Sequence, residues 1–201
     1  MTKSDEKEVM ELESLREPIS IGKIFAESGM FPDTKTQAQA VVKILAGREL
    51  GLSPFESMKN IYLVNGKLAI QSNALASLIK SSKKYDYRVD IITDQECKIT
   101  FLRFKKDDTT EEIGVSEFTF KDAAKAGLVN KDNWKSYPKN MLFARALANG
   151  VRFYCPDAAC GWHVQEEYED LLPVDRKETI TIDAEGNVGK VDNDNESTPT
   201  V

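Results

Sequence analysis

The segment 133–155, NWKSYPKNMLFARALANGVRFYC, is the part of the chain that most constrains its fold. Apolar residues recur in it at helical spacing, and Pro138 suits the first turn of a helix, so the segment predicts a helix over about 138–153. Arg145 and Arg152 lie on one narrow polar stripe with apolar residues on both sides. A solvated helix normally has a wide polar face. The stripe therefore indicates the floor of a groove.

The residues around this stripe suit a phosphate backbone. Arg145 and Arg152 are about 10 Å apart along the helix axis, at about 1.5 Å per residue. Lys139 lies in the first turn, where unpaired N–H groups and the helix dipole also favour an anion. Trp134 and Tyr137 come just before the helix, where they could stack on bases or close the groove. This arrangement predicts a nucleic-acid-binding helix.

The same stripe also suits a purely structural role. The segment EEYED, residues 166–170, could supply buried carboxylates that pair with Arg145 and Arg152. Spacing along the helix is the same in both cases, so the sequence leaves the two interpretations open.

The N-terminal half predicts helices and a β-hairpin. Charged residues 5–17 suggest a helix that ends at Pro18, and a short amphipathic helix should follow, ending near residue 29. Residues 35–50 predict a further helix. In SPFE, residues 53–56, the order of Ser, Pro and Glu is typical of a helix start with a capping box.

In IYLVNGKLAI, residues 61–70, two β-prone runs flank Asn65-Gly66. This pair favours a type I′ turn, which needs positive φ at both central residues. Residues 71–82 return to a helical pattern.

The second half predicts an antiparallel sheet and then the basic helix. Three β-prone runs, 87–93, 96–104 and 112–118, are separated by charge clusters, and a short helix at 121–126 follows them. The fold class is therefore α+β: a helical N-terminal part, a β-hairpin and antiparallel sheet, a long basic helix, and an acidic C-terminal tail. We expect a charged segment over 1–19, one domain over 20–172, and a disordered tail over 173–201.

Charge is distributed unevenly along the chain. The formal net charge is −6, but residues 1–17 hold six acidic against three basic residues, and 173–201 hold seven against three. Residues 43–88 carry eight basic against three acidic residues, and 121–153 carry seven against two. A local basic surface matters more for phosphate binding than the total. The absence of an apolar N-terminal signal region and of a long apolar run favours a cytoplasmic protein without a membrane span.

A set of residues around the basic helix resembles the RecT/Redβ family of phage single-strand annealing proteins. They are Trp134, Pro138-Lys139, Met141-Leu142, Arg145-Ala146, Arg152, Gly161 and Glu166-Glu167. Upstream, Gly51, Leu52 and Pro54 followed by the hairpin are similar to a second segment of the family. The resemblance covers roughly residues 20–172.

The resemblance implies a protein that anneals single-stranded DNA without nucleotide hydrolysis, assembled into rings or helical filaments in the bacterial host cytoplasm. It assigns backbone contacts to Lys139, Arg145 and Arg152, and places Lys67 at the border of the groove or of a neighbouring subunit. Relatives carry further cations at the positions of Asn140 and Phe143. In this chain the candidates to replace them are Lys59, Lys80, Lys83, Lys84 and Lys135. A phage exonuclease and a host single-strand-binding protein are the implied partners.

Enzymatic alternatives have weaker signals. The chain lacks the GxxxxGK[ST] motif of P-loop ATPases. Cys155, Cys160 and His163 give too few ligands in a recognisable zinc spacing. We therefore predict no cofactor, no metal and no catalytic residue. Two rival functions stay open, a metal-dependent nuclease and a protein-interaction subunit in which internal salt bridges occupy Arg145 and Arg152.

Overall fold

The computed structural model describes residues 3–159, 162–171, 179–182 and 188–191, and over these residues the fold is α+β, as predicted. The helices are α1 (Lys3–Glu27), α2 (Gln37–Glu49), α3 (Pro54–Asn60), α4 (Ser72–Ser81), α5 (Phe120–Lys125), α6 (Asp132–Ser136), α7 (Pro138–Tyr154), α8 (Pro156–Ala159) and α9 (Gln165–Leu171). The strands are β1 (Ile61–Val64), β2 (Lys67–Ile70), β3 (Tyr85–Ile92), β4 (Glu96–Phe104), β5 (Thr110–Thr119), β6 (His163–Val164), β7 (Thr179–Ile182) and β8 (Val188–Val191).

The first helix corrects the prediction that Pro18 ends a helix. α1 continues through Pro18 to Glu27 and takes in the second predicted helix, so it also crosses the expected boundary between residues 19 and 20. A proline inside a helix removes one hydrogen bond and strains the preceding turn. Packing offsets this cost, because Pro18 is buried and Phe25 packs on the core of the helical part.

The helical part has its own small core, formed by Ala40, Ile44 and Met58. The predicted helix start after Ser53 is confirmed, since Ser53 accepts a hydrogen bond from the backbone N–H of Glu56 and the Glu56 side chain accepts one from the backbone of Ser53. These reciprocal bonds fix where α3 begins.

The hairpin joins the helical part to the rest of the chain. β1 and β2 pair antiparallel, and Asn65 and Gly66 have φ of 52° and 75°, which confirms the predicted turn. β2 also pairs in parallel with the short strand β6, which the sequence patterns did not predict. Through β6 the hairpin is connected to α9.

The main sheet is the predicted antiparallel meander in the order β3-β4-β5. One face packs against α7, which begins at Pro138 as predicted. The contact is close at Gly150, where an added Cβ would lie 2.0 Å from Cε2 of Phe101. Ser116 on β5 donates a hydrogen bond to the carbonyl oxygen of Ala146 at 2.7 Å. The helix and sheet are thus joined by interlocking packing and a buried hydrogen bond.

The C-terminal segment differs from the predicted disordered tail in one respect. β7 and β8 pair antiparallel, with Thr179 opposite Val191. β7 reads Thr-Ile-Thr-Ile, and β-branched residues favour strands. The other residues of the predicted tail, 173–178, 183–187 and 192–201, lie outside the described part of the chain.

Candidate nucleic-acid interface

The arginine stripe of α7 is covered by the short helix α9. Arg152 donates from Nη1 to Oε2 of Glu167 at 2.9 Å, and its Nη2 also bonds the Glu167 carboxylate. Arg145 donates from Nε to Oδ2 of Asp170 at 3.1 Å. These are the carboxylates of the segment EEYED. The narrow stripe is therefore a partly buried ionic seam between two helices, and the expectation that it forms an open groove floor is wrong.

Asp170 also accepts a hydrogen bond from the indole of Trp134. Its Oδ1 accepts a hydrogen bond from Nε1 of Trp134 at 2.9 Å, and both side chains are fully buried. The ring packs beside Phe118, with 6.2 Å between the ring centroids. A buried indole cannot stack on a base. The expectation of stacking on Trp134 is wrong, because its ring fills the core and its N–H fixes α9.

The two arginines keep little exposed surface. The exposed fraction is 18% for the Arg145 side chain and 31% for that of Arg152. Arg152 also donates from Nη2 to Oδ1 of Asn149 at 2.9 Å. Contact of Arg145 and Arg152 with a DNA backbone stays a prediction, but each arginine already has a carboxylate partner within the chain.

The ionic seam shifts the titration of Glu167. Burial raises the pKa of Glu167, but the hydrogen bond from Arg152 and the charges of Arg152 and Arg145 outweigh it, so the pKa lies below its ordinary value. A carboxylate with a lowered pKa in the folded state stabilises the fold at pH values above its unfolded pKa, and this stabilisation is lost as the pH falls through the folded pKa.

We expect acid to weaken the fold partly through Glu167. Urea unfolding should show the wild-type free energy of unfolding falling from about pH 4.5 downward, since the unfolded pKa of glutamate is about 4.3. Glu167→Gln should be less stable at pH 7 and lose less stability between pH 7 and acid. Glu112→Gln, at an exposed carboxylate, is the matched control. Identical acid dependence in Glu167→Gln and wild type would contradict this assignment.

The other predicted site residues are exposed. Lys135, Tyr137 and Lys139 surround the start of α7, where the first turn holds no acidic residue and no side chain caps the helix. Tyr137 is 64% exposed. Lys67 is exposed on β2, and its Nζ lies 6.0 Å from the centroid of the Tyr168 ring. Of the seven predicted residues, these four have side chains exposed to solvent.

A second basic surface lies between the end of α4 and the β4–β5 turn. We call it the lysine cleft: a cavity of about 490 Å³ whose cations are Lys80, Lys83, Lys105 and Lys106, with Phe104 also in its wall. Lys80 and Lys105 have carboxylate partners, Asp86 at 2.5 Å and Glu111 at 3.4 Å. For Lys83 and Lys106, no ion pair forms with the described residues. The cleft also contains Asp108, but its balance is positive.

Only two of the four lysines of this cleft, Lys80 and Lys83, were predicted from the sequence. Lys80 and Lys83 belong to a basic block, whereas Lys105 and Lys106 directly precede Asp107 and Asp108, so their local charge sums to zero. The turn between β4 and β5 brings the pair of lysines beside α4. The one signal in the sequence is the order Phe-Lys-Lys at 104–106, with an aromatic ring beside two cations.

An aromatic strip connects the lysine cleft to the start of α7. Nζ of Lys80 lies 4.6 Å from the centroid of the Tyr87 ring, and the Tyr87 and Phe143 rings are 6.4 Å apart. Both rings are half-buried. Phe143 in turn lines a further cavity with Asn140, the residue after Lys139. We call Tyr87 and Phe143 the aromatic strip; Lys80 stands at its Tyr87 end, and the cavity at its Phe143 end reaches the first turn of α7.

The signals for metal or thiol chemistry are weak in this structure. Over the described residues no group of three His, Cys, Asp or Glu side chains could hold a metal ion. Burial raises the pKa of Cys97 to about 11 and, with the Asp157 charge, that of Cys155 to about 12. Thiols with such pKa values are unreactive near neutral pH. Cys160, the third cysteine, lies outside the described part of the chain.

The chain has two pairs of adjacent glutamates, Glu111-Glu112 and Glu166-Glu167, and in neither pair do the two carboxylates point to one metal position. Glu111 pairs with Arg103, whereas Glu112 pairs with Arg88. Glu166 accepts a hydrogen bond from Ser72, whereas its neighbour Glu167 belongs to the arginine seam. Each carboxylate of these pairs thus has a different partner.

Comparisons with protein-family models, curated proteins and solved structures gave no match. Among the helices that the structure describes, none is long and apolar enough to cross a membrane.

Proposed function

We propose that this protein binds single-stranded DNA and anneals complementary strands without nucleotide hydrolysis, in phage or prophage recombination in the bacterial cytoplasm. The observation that carries the proposal is the path from the lysine cleft along the aromatic strip to the start of α7. Single strands are bound through cations for their phosphates and aromatic rings for their bases. The resemblance to the RecT/Redβ family also supports it.

We propose roles for particular side chains along this path. Lys80, Lys83, Lys105 and Lys106 bind phosphates at one end, and Lys135 and Lys139 bind them at the other. Tyr137, exposed between these last two lysines, offers a ring to a base. Base pairing with the second strand supplies the sequence specificity of annealing, so the protein needs no contacts that read bases.

Assembly into a homo-oligomer, a ring or a filament, is part of this proposal. Several large apolar side chains of the helical part are exposed, among them Ile24 at 65%, Met30 at 66% and Phe55 at 53%. Contact between copies would remove them from water. Recruitment of a phage exonuclease or of a host single-strand-binding protein is a further element of the proposal that comes from the resemblance alone.

A test of the proposal is annealing of two labelled complementary oligonucleotides, without nucleotide, across a salt series. Wild type should accelerate annealing, and affinity should decline steeply with salt. We expect Lys83→Glu/Lys106→Glu to bind single strands at least about tenfold more weakly. Its slope of log affinity against log salt should be smaller by about 0.7 for each lost phosphate contact.

The matched control is Lys121→Glu/Lys125→Glu, which makes the same charge change on α5, at the opposite end of β4 from the lysine cleft. It should anneal nearly as well as wild type. Equal losses in both variants would show that the cleft has no special role. A wild type that cuts the strands in the presence of Mg²⁺ would instead support a nuclease.

One observation favours the rival function of a protein-interaction subunit. Arg145 and Arg152 are held by Glu167 and Asp170, as that rival requires. It would be supported if wild type neither binds nor anneals DNA at low salt while remaining folded.

A further inference from the structure

The cavity at the end of the aromatic strip has the lining of a small-ligand site. Its volume is about 490 Å³, within the range of about 300–1,000 Å³ typical of such sites. Val89, Ile92, Met141 and Phe143 supply apolar surface, and Asn73, Asn140, Ser72 and Glu166 supply polar groups. It lies between the N-terminal turns of α4 and α7, on elements that the core holds in place.

Glu166 is the unusual group in this wall. Its Oε1 accepts a hydrogen bond from the buried hydroxyl of Ser72, but its Oε2 is shielded from solvent and has no donor among the described residues. A buried polar atom without a hydrogen-bond partner destabilises the fold. The last torsion of a glutamate is soft, so rotation of the carboxylate can bring Oε2 to face a donor in the cavity that Glu166 lines. Oε2 therefore favours a ligand that brings a hydrogen-bond donor into the cavity.

The side chains of Asn73, Asn140 and Phe143 restrict the class of ligand that can carry this donor. Asn73 and Asn140 are exposed and each offers both a donor and an acceptor. Phe143 is half-buried and belongs to the aromatic strip, so a flat ring entering from the strip meets an aromatic surface. A planar heterocycle with an exocyclic amino group and a neighbouring ring acceptor satisfies all three groups.

We propose that this cavity binds one nucleobase that carries an exocyclic amino group, as in cytosine or adenine, in preference to thymine. The amino group donates to Glu166, and an asparagine amide donates to the adjacent ring nitrogen. Carboxylates accept hydrogen bonds from the amino group of cytosine in other protein sites. Thymine instead has its ring N–H between two carbonyl oxygens, so a carboxylate that accepts from this N–H also faces a carbonyl oxygen.

This inference rests on the proposed function, in that the base belongs to a bound single strand. One base of each bound segment would turn into the cavity from the aromatic strip, while the others stay available for pairing. The site adds a modest base preference to binding that is otherwise independent of sequence.

The experiment separates the cavity from the phosphate contacts by using free nucleosides. Deoxycytidine and thymidine, which carry no phosphate, are titrated into the full chain while backbone amide resonances are followed by NMR. We expect deoxycytidine to bind at least about fivefold more tightly, the discrimination given by one good contact to a base edge. The affected resonances should cluster at Asn73, Asn140 and Phe143. Glu166→Gln, which keeps an acceptor for Ser72, should abolish the preference.

A second arm uses oligomers of deoxycytidine and of thymidine of equal length, at one neutral pH and salt concentration. Wild type should prefer the deoxycytidine oligomer and Glu166→Gln should not. Equal nucleoside affinities, or a preference that persists in Glu166→Gln, would overturn the inference. If the nucleosides are discriminated but oligomers bind no more tightly than they do, the proposed function fails while the nucleobase site stands.

Discussion

Replacing Asp170 by alanine is expected to lower the free energy of unfolding by about 3–5 kcal/mol, because it removes one partner of a buried ion pair. The Asp170 side chain has no exposed surface, and it accepts hydrogen bonds from both Trp134 and Arg145. Without it, the indole N–H is left buried without an acceptor and the guanidinium of Arg145 keeps only Glu167, at 3.7 Å. Urea unfolding at neutral pH measures the effect.

Two further variants sharpen this experiment. Asp170→Asn retains an acceptor for Trp134 but removes the charge, so its cost should fall between those of wild type and Asp170→Ala. Asp94→Ala, at an exposed carboxylate in the turn between β3 and β4, should change stability by no more than about 0.5 kcal/mol. A cost below about 1 kcal/mol for Asp170→Ala would mean that α9 is not held on α7 in solution. The arginine stripe would then be open to phosphates, as the sequence suggested.

The arginine seam also affects how variants of Arg145 and Arg152 are interpreted. Removing Arg145 leaves Asp170 buried with only the Trp134 N–H, and removing Arg152 leaves Glu167 with Arg145 at 3.7 Å and no close guanidinium. Loss of DNA binding would therefore accompany loss of structure. Lysines on the surface avoid this difficulty, because Lys83 and Lys106 can change sign with little effect on the core. Variants of the lysine cleft are therefore the better test of DNA binding.

Asp33→Ala should have an effect of similar size, about 3–5 kcal/mol, in the helical part of the chain. Lys43 is fully buried, and its Nζ donates to Oδ2 of Asp33 at 2.9 Å and to Oγ1 of Thr34 at 3.2 Å. Asp33 also accepts the backbone N–H of Leu63 at 3.0 Å, which ties the helical part to the hairpin. Removing Asp33 leaves a buried ammonium group with one hydroxyl acceptor.

The stability of this variant should also depend on pH in a defined direction. Burial lowers the pKa of Lys43, while the hydrogen bond and charge of Asp33 raise it, and the balance lies below the ordinary value. Without Asp33 the folded pKa falls further, so the unfolded state binds more protons. The free energy of unfolding of Asp33→Ala should then rise with pH up to the ordinary lysine pKa of about 10.4.

Asp33→Ala/Lys43→Met provides the control, since it removes both charges and should recover much of the stability. Lys35→Ala, at an exposed lysine, should be close to wild type. If Asp33→Ala and Asp33→Ala/Lys43→Met were equally unstable, the loss would come from the Leu63 N–H contact and not from the buried charge.

Sequence patterns predicted the elements whose causes are local. Asn65-Gly66 determined a turn because both residues accept positive φ, and Ser53 with Glu56 determined the start of a helix. Alternating β-prone runs predicted the meander. The main local error was Pro18, where a breaker of isolated helices is overridden by packing against the core of the helical part.

The candidate site was less predictable, because cations look alike in a sequence whatever they face. Lys139 and Tyr137 proved exposed, whereas Trp134 proved to be a core residue with its N–H on Asp170. Lys105 and Lys106 were not predicted, because the adjacent aspartates cancel their charge in the sequence. No local pattern shows that Lys80, on α4, shares a cleft with residues of the β4–β5 turn.

By itself the sequence determined that α7 is a helix with a narrow cationic stripe between two apolar sides, since periodicity and Pro138 depend only on neighbours along the chain. Only the tertiary structure decided what that stripe contacts. The parallel pairing of β6 with β2 places α9 beside α7, and contacts across 15 and 25 residues then give Arg152 to Glu167 and Arg145 to Asp170. A guanidinium binds a carboxylate or a phosphate with the same geometry, so its partner follows from the fold and not from spacing.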